Sequence, residues 1–93
     1  MTLIALGINH NTASVEVREA VAFSPEQMTA ALRAAVAAVG IKEVAILSTC
    51  NRTEVYADTG GGNVGHAELL QWMAEFHGTG YSALEACHYA HEG

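Results

Sequence analysis

Ninety-three residues with 51% hydrophobic and 15% charged side chains and a single proline exclude a disordered tail, which needs low hydrophobicity and high charge, and leave room for one core and no second lobe. No apolar run approaches the roughly 18 residues of a membrane span. Four basic residues against ten acidic ones give a net charge of −6, and Arg18, Arg33, Lys42 and Arg52 are scattered, so the chain lacks the clustered basic face of a self-sufficient nucleic-acid binder.

Leu3 to Ile8 is an almost continuous apolar run ending in Asn9-His10-Asn11, the length and boundary of a buried strand. Thr12 to Arg18 holds a fragment of alternation (Ala13, Val15, Val17) and is expected to be extended. Ser24, Pro25 and Gln27 then spell an N-cap, a first-turn proline and the far member of a capping box. Met28, Leu32, Ala35, Val36 and Val39 follow on one helical face, and Gly40 ends the helix. Val44 to Leu47 is a second buried strand, closed by Ser48-Thr49-Cys50-Asn51-Arg52. From Thr53 the pattern alternates, with Thr53, Val55 and Ala57 against Glu54, Tyr56 and Asp58, a third strand with one wetter face. The link between these two strands is too short for a parallel return, so they are antiparallel neighbours.

The stretch Gly60-Gly61-Gly62-Asn63-Val64-Gly65 is expected from its composition to be the flexible part of the chain. A second helix is expected over about His66 to His77, with Leu69, Leu70, Met73 and Phe76 inward and Gly78 as its stop. Ser82-Ala83-Leu84-Glu85 reads as another capping box opening a short turn, and Cys87 to His91 closes the fold as a last strand. The order strand, helix, strand, strand, helix, strand predicts an α+β domain over residues 1–93. Its form is the ferredoxin-like split βαβ sandwich, an antiparallel sheet with two main helices on one face.

Several motifs have more than one chemical reading. Gly60, Gly62 and Gly65 match G-x-G-x-x-G, with Glu85 further on as a ribose-binding acid. That fingerprint needs a buried parallel strand in front of it, whereas the preceding strand alternates and Glu85 belongs to a capping box. A linker is the better reading. Cys87, His88 and His91, with Cys50, offer zinc-type ligands, but no C-x-x-C pair anchors them. An extended segment turns His88 away from its neighbours, so solvated or capping histidines and no metal are expected; a small zinc or haem site is the rival. Cys87 suits a small core hydrophobe, and Trp72 a packing residue.

Cys50 has a different setting, among Ser48, Thr49, Asn51, Arg52 and Thr53 at the end of a strand. Such a turn exposes its side chains. A neighbouring arginine favours thiolate, the form that attacks carbonyl carbon, and Arg52 is also the natural fork for a carboxylate. Thr49, Asn51 and the turn's N–H groups suit an oxyanion or an ester oxygen. Two readings stand: a catalytic or substrate-binding thiol, and a thiol held in a polar turn.

Gly7-Ile8-Asn9-His10, Thr12-Ala13, Arg18-Glu19, Phe23 and above all Leu47-Ser48-Thr49-Cys50-Asn51-Arg52-Thr53-Glu54 resemble the start of bacterial glutamyl-tRNA reductase, in order and spacing over essentially the whole chain. The resemblance implies that Cys50 attacks the ester joining glutamate to tRNA, leaving a thioester. NADPH then delivers hydride and releases glutamate-1-semialdehyde for tetrapyrrole (haem) synthesis. It sets the glutamyl group against Thr49, Asn51 and Arg52. It further implies a homodimer, a possible partner in the next enzyme, an aminomutase, and a cytoplasmic location, with which the scarcity of cysteines and the lack of a signal at Met1-Thr2-Leu3-Ile4 agree. The NADPH-binding and dimerisation domains, and the family's catalytic histidine, are expected beyond Gly93, so the chain is expected to be a truncated catalytic domain unable to reduce alone. His88 and His91 match the strand before that histidine. Asn11 and Ser14 stand where a lysine and a proline are usual in the family. The alternative is a non-catalytic ferredoxin-like module that binds a small carboxylate ligand or a partner's edge strand.

Overall fold

A computed structural model describes residues 3–60 and 65–92, with the side chains of 38 and 39 left aside. The elements are β1 (Leu3–Asn9), α1 (Val15–Ala20), α2 (Met28–Val39), β2 (Glu43–Ser48), β3 (Arg52–Asp58), α3 (His66–His77), α4 (Tyr81–Glu85) and β4 (Tyr89–Glu92). One four-stranded sheet has the order β2-β3-β1-β4 and is antiparallel throughout. Among the described residues no helix is long and apolar enough to cross a membrane.

Strand alternation decides where the core sits. Ile4, Leu6 and Ile8 lie opposite Ala57, Val55 and Thr53, and all six are at most 1% exposed. Residues opposite one another share a face, so this side of the sheet is the buried one. Against it lie Ala31 and Ala35 of α2 and Leu69, Leu70, Trp72 and Met73 of α3. Phe23, just ahead of α2, is 4% exposed and stacks on Trp72 with ring centroids 6.0 Å apart. The other side of the sheet is open and carries Arg52, Glu54, Tyr56, Asp58, Tyr89 and His91.

Helix ends follow their sequence signals in part. Gly40 and Gly78 close α2 and α3 in the left-handed region, at φ 74° and 67°, which glycine adopts without strain. Ser24 and Gln27 make the reciprocal bonds of a capping box, Ser24 N to Gln27 Oε1 at 3.1 Å and Gln27 N to Ser24 Oγ at 3.3 Å. Pro25 to Gln27 nevertheless form a separate turn, and α2 starts at Met28.

Four expectations are corrected. The segment 12–18 is not extended: Ser14 Oγ accepts from Val17 N at 3.3 Å and caps α1. Ala13, Val17 and Val21 are also four apart, and Val17 and Val21 pack on the core while Val15 is 56% exposed; in so short a piece the two periods cannot be told apart. β2 is an edge strand rather than a buried one, with every second residue exposed. The inward face of α2 is centred on Ala31 and Ala35, and Val36 is 41% exposed; Val39 lies outside the described side chains. Finally, α4 begins at Tyr81 behind Gly80, with no side-chain cap. That puts Ser82 two positions too far into the helix for a capping box with Glu85.

Candidate functional site

The β2–β3 hairpin closes with Ser48 opposite Thr53, leaving Thr49 to Asn51 as its tip. Thr49 N donates to Arg52 O at 2.8 Å. In return Thr49 Oγ1 accepts from Asn51 N and Arg52 N, both at 3.2 Å, the local hydroxyl-to-amide pattern that makes threonine a turn residue. Ser48 Oγ anchors the base, accepting from Phe23 N at 2.9 Å and lying 3.3 Å from Thr53 Oγ1. Cys50 is thereby carried on a braced turn with its thiol exposed. Its carbonyl accepts from Arg18 Nη1 of α1 at 3.3 Å.

Two clefts meet at this tip. The first, about 410 Å³, is lined by Asn9, His10, Thr49, Cys50, Asn51 and Arg52. β1 delivers its far wall because Asn9 pairs with Arg52 across the sheet, and Asn9 Oδ1 braces the loop by accepting from Asn11 N at 2.8 Å and Thr12 N at 3.1 Å. The second, about 210 Å³, is lined by Val15, Arg18, Glu19, Ala22, Thr49 and Cys50. Thr49 and Cys50 belong to both. A more apolar cleft of about 570 Å³ between α2 and β2 shares no residue with either.

Behind Arg52, on the open face of the sheet, lies an ordered carboxylate. Tyr56 Oη donates to Glu54 Oε1 and Tyr89 Oη to Glu54 Oε2, each at 2.6 Å, and Arg52 Nε is 3.8 Å from Oε1. The Tyr56 and Tyr89 hydrogen bonds, chiefly, hold the Glu54 carboxyl below its ordinary range, with a smaller contribution from Arg52. Burial, reinforced by Glu54, pushes the Tyr89 phenol up to about 12; the Glu54 hydrogen bond likewise raises Tyr56. Gly7 makes room for this cluster. A Cβ there would lie 2.8 Å from both Glu54 Cγ and Thr53 O and 2.9 Å from Tyr89 Oη.

The sequence-predicted residues Thr49, Cys50, Asn51 and Arg52 are thus gathered in one turn. Two of them have backbone N–H groups already committed to Thr49 Oγ1; among the described residues the Cys50 N–H makes no hydrogen bond. Sequence reasoning did not single out Asn9, His10, Arg18 and Glu54 as site residues. The polar Asn9-His10 pair at a strand end carried a signal, given β1–β3 pairing; Arg18 carried none until α1 was a helix.

The remaining candidates lie elsewhere. Cys87 Sγ donates to Ala83 O at 3.2 Å, and burial pushes its thiol up. His88 Nδ1 is 2.9 Å from Glu85 O and its ring stacks on His66 at 5.9 Å. Among the described residues no three His, Cys, Asp or Glu side chains are grouped to hold a metal. Of the glycine-rich segment, 61–64 lies outside the described residues. The strand before it, β3, runs antiparallel to both neighbours, so it does not form the parallel-strand crevice in which a dinucleotide sits.

The family described as "Glutamyl-tRNAGlu reductase, N-terminal domain" matches residues 6–93. A glutamyl-tRNA reductase of Saccharophagus degradans is 60% identical over 89 residues, covering 96% of this chain and 20% of that protein. One from Pseudoalteromonas translucida is 52% identical over 93 residues, covering 100% and 22%. The solved glutamyl-tRNA reductase of Methanopyrus kandleri superposes with a TM-score of 0.66 at 27% identity, over 98% of this chain and 19% of that one. The chain therefore spans about a fifth of the length of the curated relatives it matches.

Proposed function

The chain belongs to the glutamyl-tRNAGlu reductase N-terminal domain family, and from that premise we propose that it is the acyl-accepting module of an NADPH-dependent glutamyl-tRNA reductase, with Cys50 as nucleophile. The observation that carries the proposal is an exposed thiol on a braced turn, at the common rim of two clefts, with two of the chain's four cations, Arg18 and Arg52, beside it.

In this mechanism the Cys50 thiolate attacks the ester carbonyl of glutamyl-tRNA. The new S–C bond forms, the C–O bond to the terminal ribose breaks, and the ribose hydroxyl takes up the proton that the thiol released. Arg52, its Nε steadied by Glu54, presents its outer N–H groups to the glutamyl side-chain carboxylate. Thr49 shapes the turn, Asn51 offers an amide to the substrate, and the uncommitted Cys50 N–H faces the developing oxyanion. The part of these residues ends at the thioester. Its reduction by NADPH to glutamate-1-semialdehyde, for tetrapyrrole synthesis, belongs to parts of the whole protein outside these 93 residues, as do the homodimer and an aminomutase partner. The sheet order β2-β3-β1-β4, crossed by α2 and α3, supports the ferredoxin-like reading of the fold.

Incubation with glutamyl-tRNA followed by intact-mass measurement tests the reading. One glutamyl adduct, labile to hydroxylamine and absent from Cys50→Ser, is expected. A chain that binds glutamate yet acquires no adduct would instead be the non-catalytic carboxylate-binding module.

A further inference from the structure

We infer that Arg18 is a second substrate-binding arginine, taking the phosphate of the acylated terminal nucleotide in the cleft on the α1 side of Cys50. The inference rests on the acyl-transfer reading of Cys50 and extends it to the leaving group. In an ester bound for attack, the carbonyl carbon lies at the sulfur, while the acyl chain and the ribose depart in different directions. Cys50 sits where two clefts meet, and each cleft has an arginine: Arg52 in the larger, Arg18 in the smaller.

Arg18 is half-buried between α1 and the Cys50 turn. One of its N–H groups is on Cys50 O, while its Nε is buried without a hydrogen-bond partner among the described residues. Glu19 lines the same cleft, yet Arg18 forms no ion pair among those residues. One N–H of a half-buried guanidinium withdrawn from water without a partner is costly to hold, and an anion in the cleft, met by the outer N–H groups, offsets that cost with charge-assisted hydrogen bonds. In a chain of net charge −6, the bulk field repels a polyanion, so such an anion must be recognised locally. Val15 and Ala22 give the cleft apolar walls for the sugar, and the bond from Arg18 to the Cys50 carbonyl links the phosphate contact to the turn that carries the thiol.

The test compares two soluble esters, 2′(3′)-O-glutamyl-adenosine and the same compound as its 5′-monophosphate, by the rate at which each acylates Cys50 of the 93-residue chain. The monophosphate is expected to react about tenfold faster, the size of one charge-assisted contact. Arg18→Gln brings that ratio close to one, Arg18→Lys keeps part of it, and Arg52→Gln slows both esters while preserving it. AMP slows both esters by occupying the cleft, and loses potency in Arg18→Gln. A wild-type chain with no preference overturns the inference, as does an Arg18→Gln variant that slows both esters equally. If neither ester acylates Cys50, the nucleophile reading itself falls, and the inference with it.

Discussion

At Glu54, two phenol donors and a guanidinium converge on one carboxylate, so its protonation reaches both the sheet and Arg52. Its folded pKa lies below the ordinary 4.5; the stability it contributes is therefore present above that pH and lost as pH falls through the lowered value. Urea midpoints taken across the acid range should drop less steeply for Glu54→Gln than for wild type. Tyr89 works in the opposite sense: raised from 10 to about 12, it contributes stability that is lost as pH rises through that interval. Gly7→Ala forces a methyl against a backbone oxygen as well as two side chains. It should cost about 1–3 kcal/mol in denaturant melts and loosen the Tyr89–Glu54 bond. The two thiols separate by exposure. Iodoacetamide near neutral pH should label Cys50, exposed, well before Cys87, whose thiol is raised by burial.

Among the helices, α1 is the one that reaches the Cys50 turn, through Arg18. It is six residues long, too short to persist without its cap and its packing, and Ser14 supplies the cap. Ser14→Ala should cost about 1 kcal/mol and lower the acylation rate at Cys50 through the displacement of Arg18, while Arg52-dependent glutamate recognition persists. Behind the Cys50 turn, whose base Ser48 accepts from Phe23 N, His77 closes α3 against Phe23, with ring centroids 4.4 Å apart and the rings at 61°. Burial lowers its pKa from 6.5, and its Nε2 has no hydrogen-bond partner among the described residues. The folded state therefore favours neutral His77, and stability falls as pH drops below 6.5 towards the lowered value. His77→Gln should flatten that part of the stability profile, as read by tryptophan fluorescence from Trp72 during unfolding.

For the molecule as a whole, charge sets the terms of any encounter with nucleic acid. A net charge of −6 with four scattered cations supplies few charges to a phosphate backbone. If Arg18, with Arg52 at most, meets phosphate, binding of a CCA-ended oligonucleotide should weaken with salt at a log–log slope no steeper than about −2. Fluorescence anisotropy across salt concentrations measures it, and a steeper slope would reveal a further phosphate-binding surface on this chain. The sheet order also places the site at one end of the domain. Asn9, Arg52 and the Cys50 turn all lie where β1 ends and β3 begins, away from the Gly60 turn.

Local chemistry was enough for much of this. The glycines at 40 and 78, the alternation in β3 and the apolar run of β1 each act within a few residues, so sequence alone determined those elements, the antiparallel hairpin and the exposed turn with Thr49, Cys50, Asn51 and Arg52. It did not determine what depends on the third dimension. Whether Val15 to Ala20 coils or extends is settled by the burial of Val17 and Val21 against the core. Whether β2 is central or at an edge is settled by which strand β3 accepts as its second neighbour. Arg18 and Cys50 are 32 residues apart, and Glu54 and Tyr89 are 35 apart. Contacts at such separation arise only when the sheet closes and α1 docks, because no local preference encodes the distance between elements.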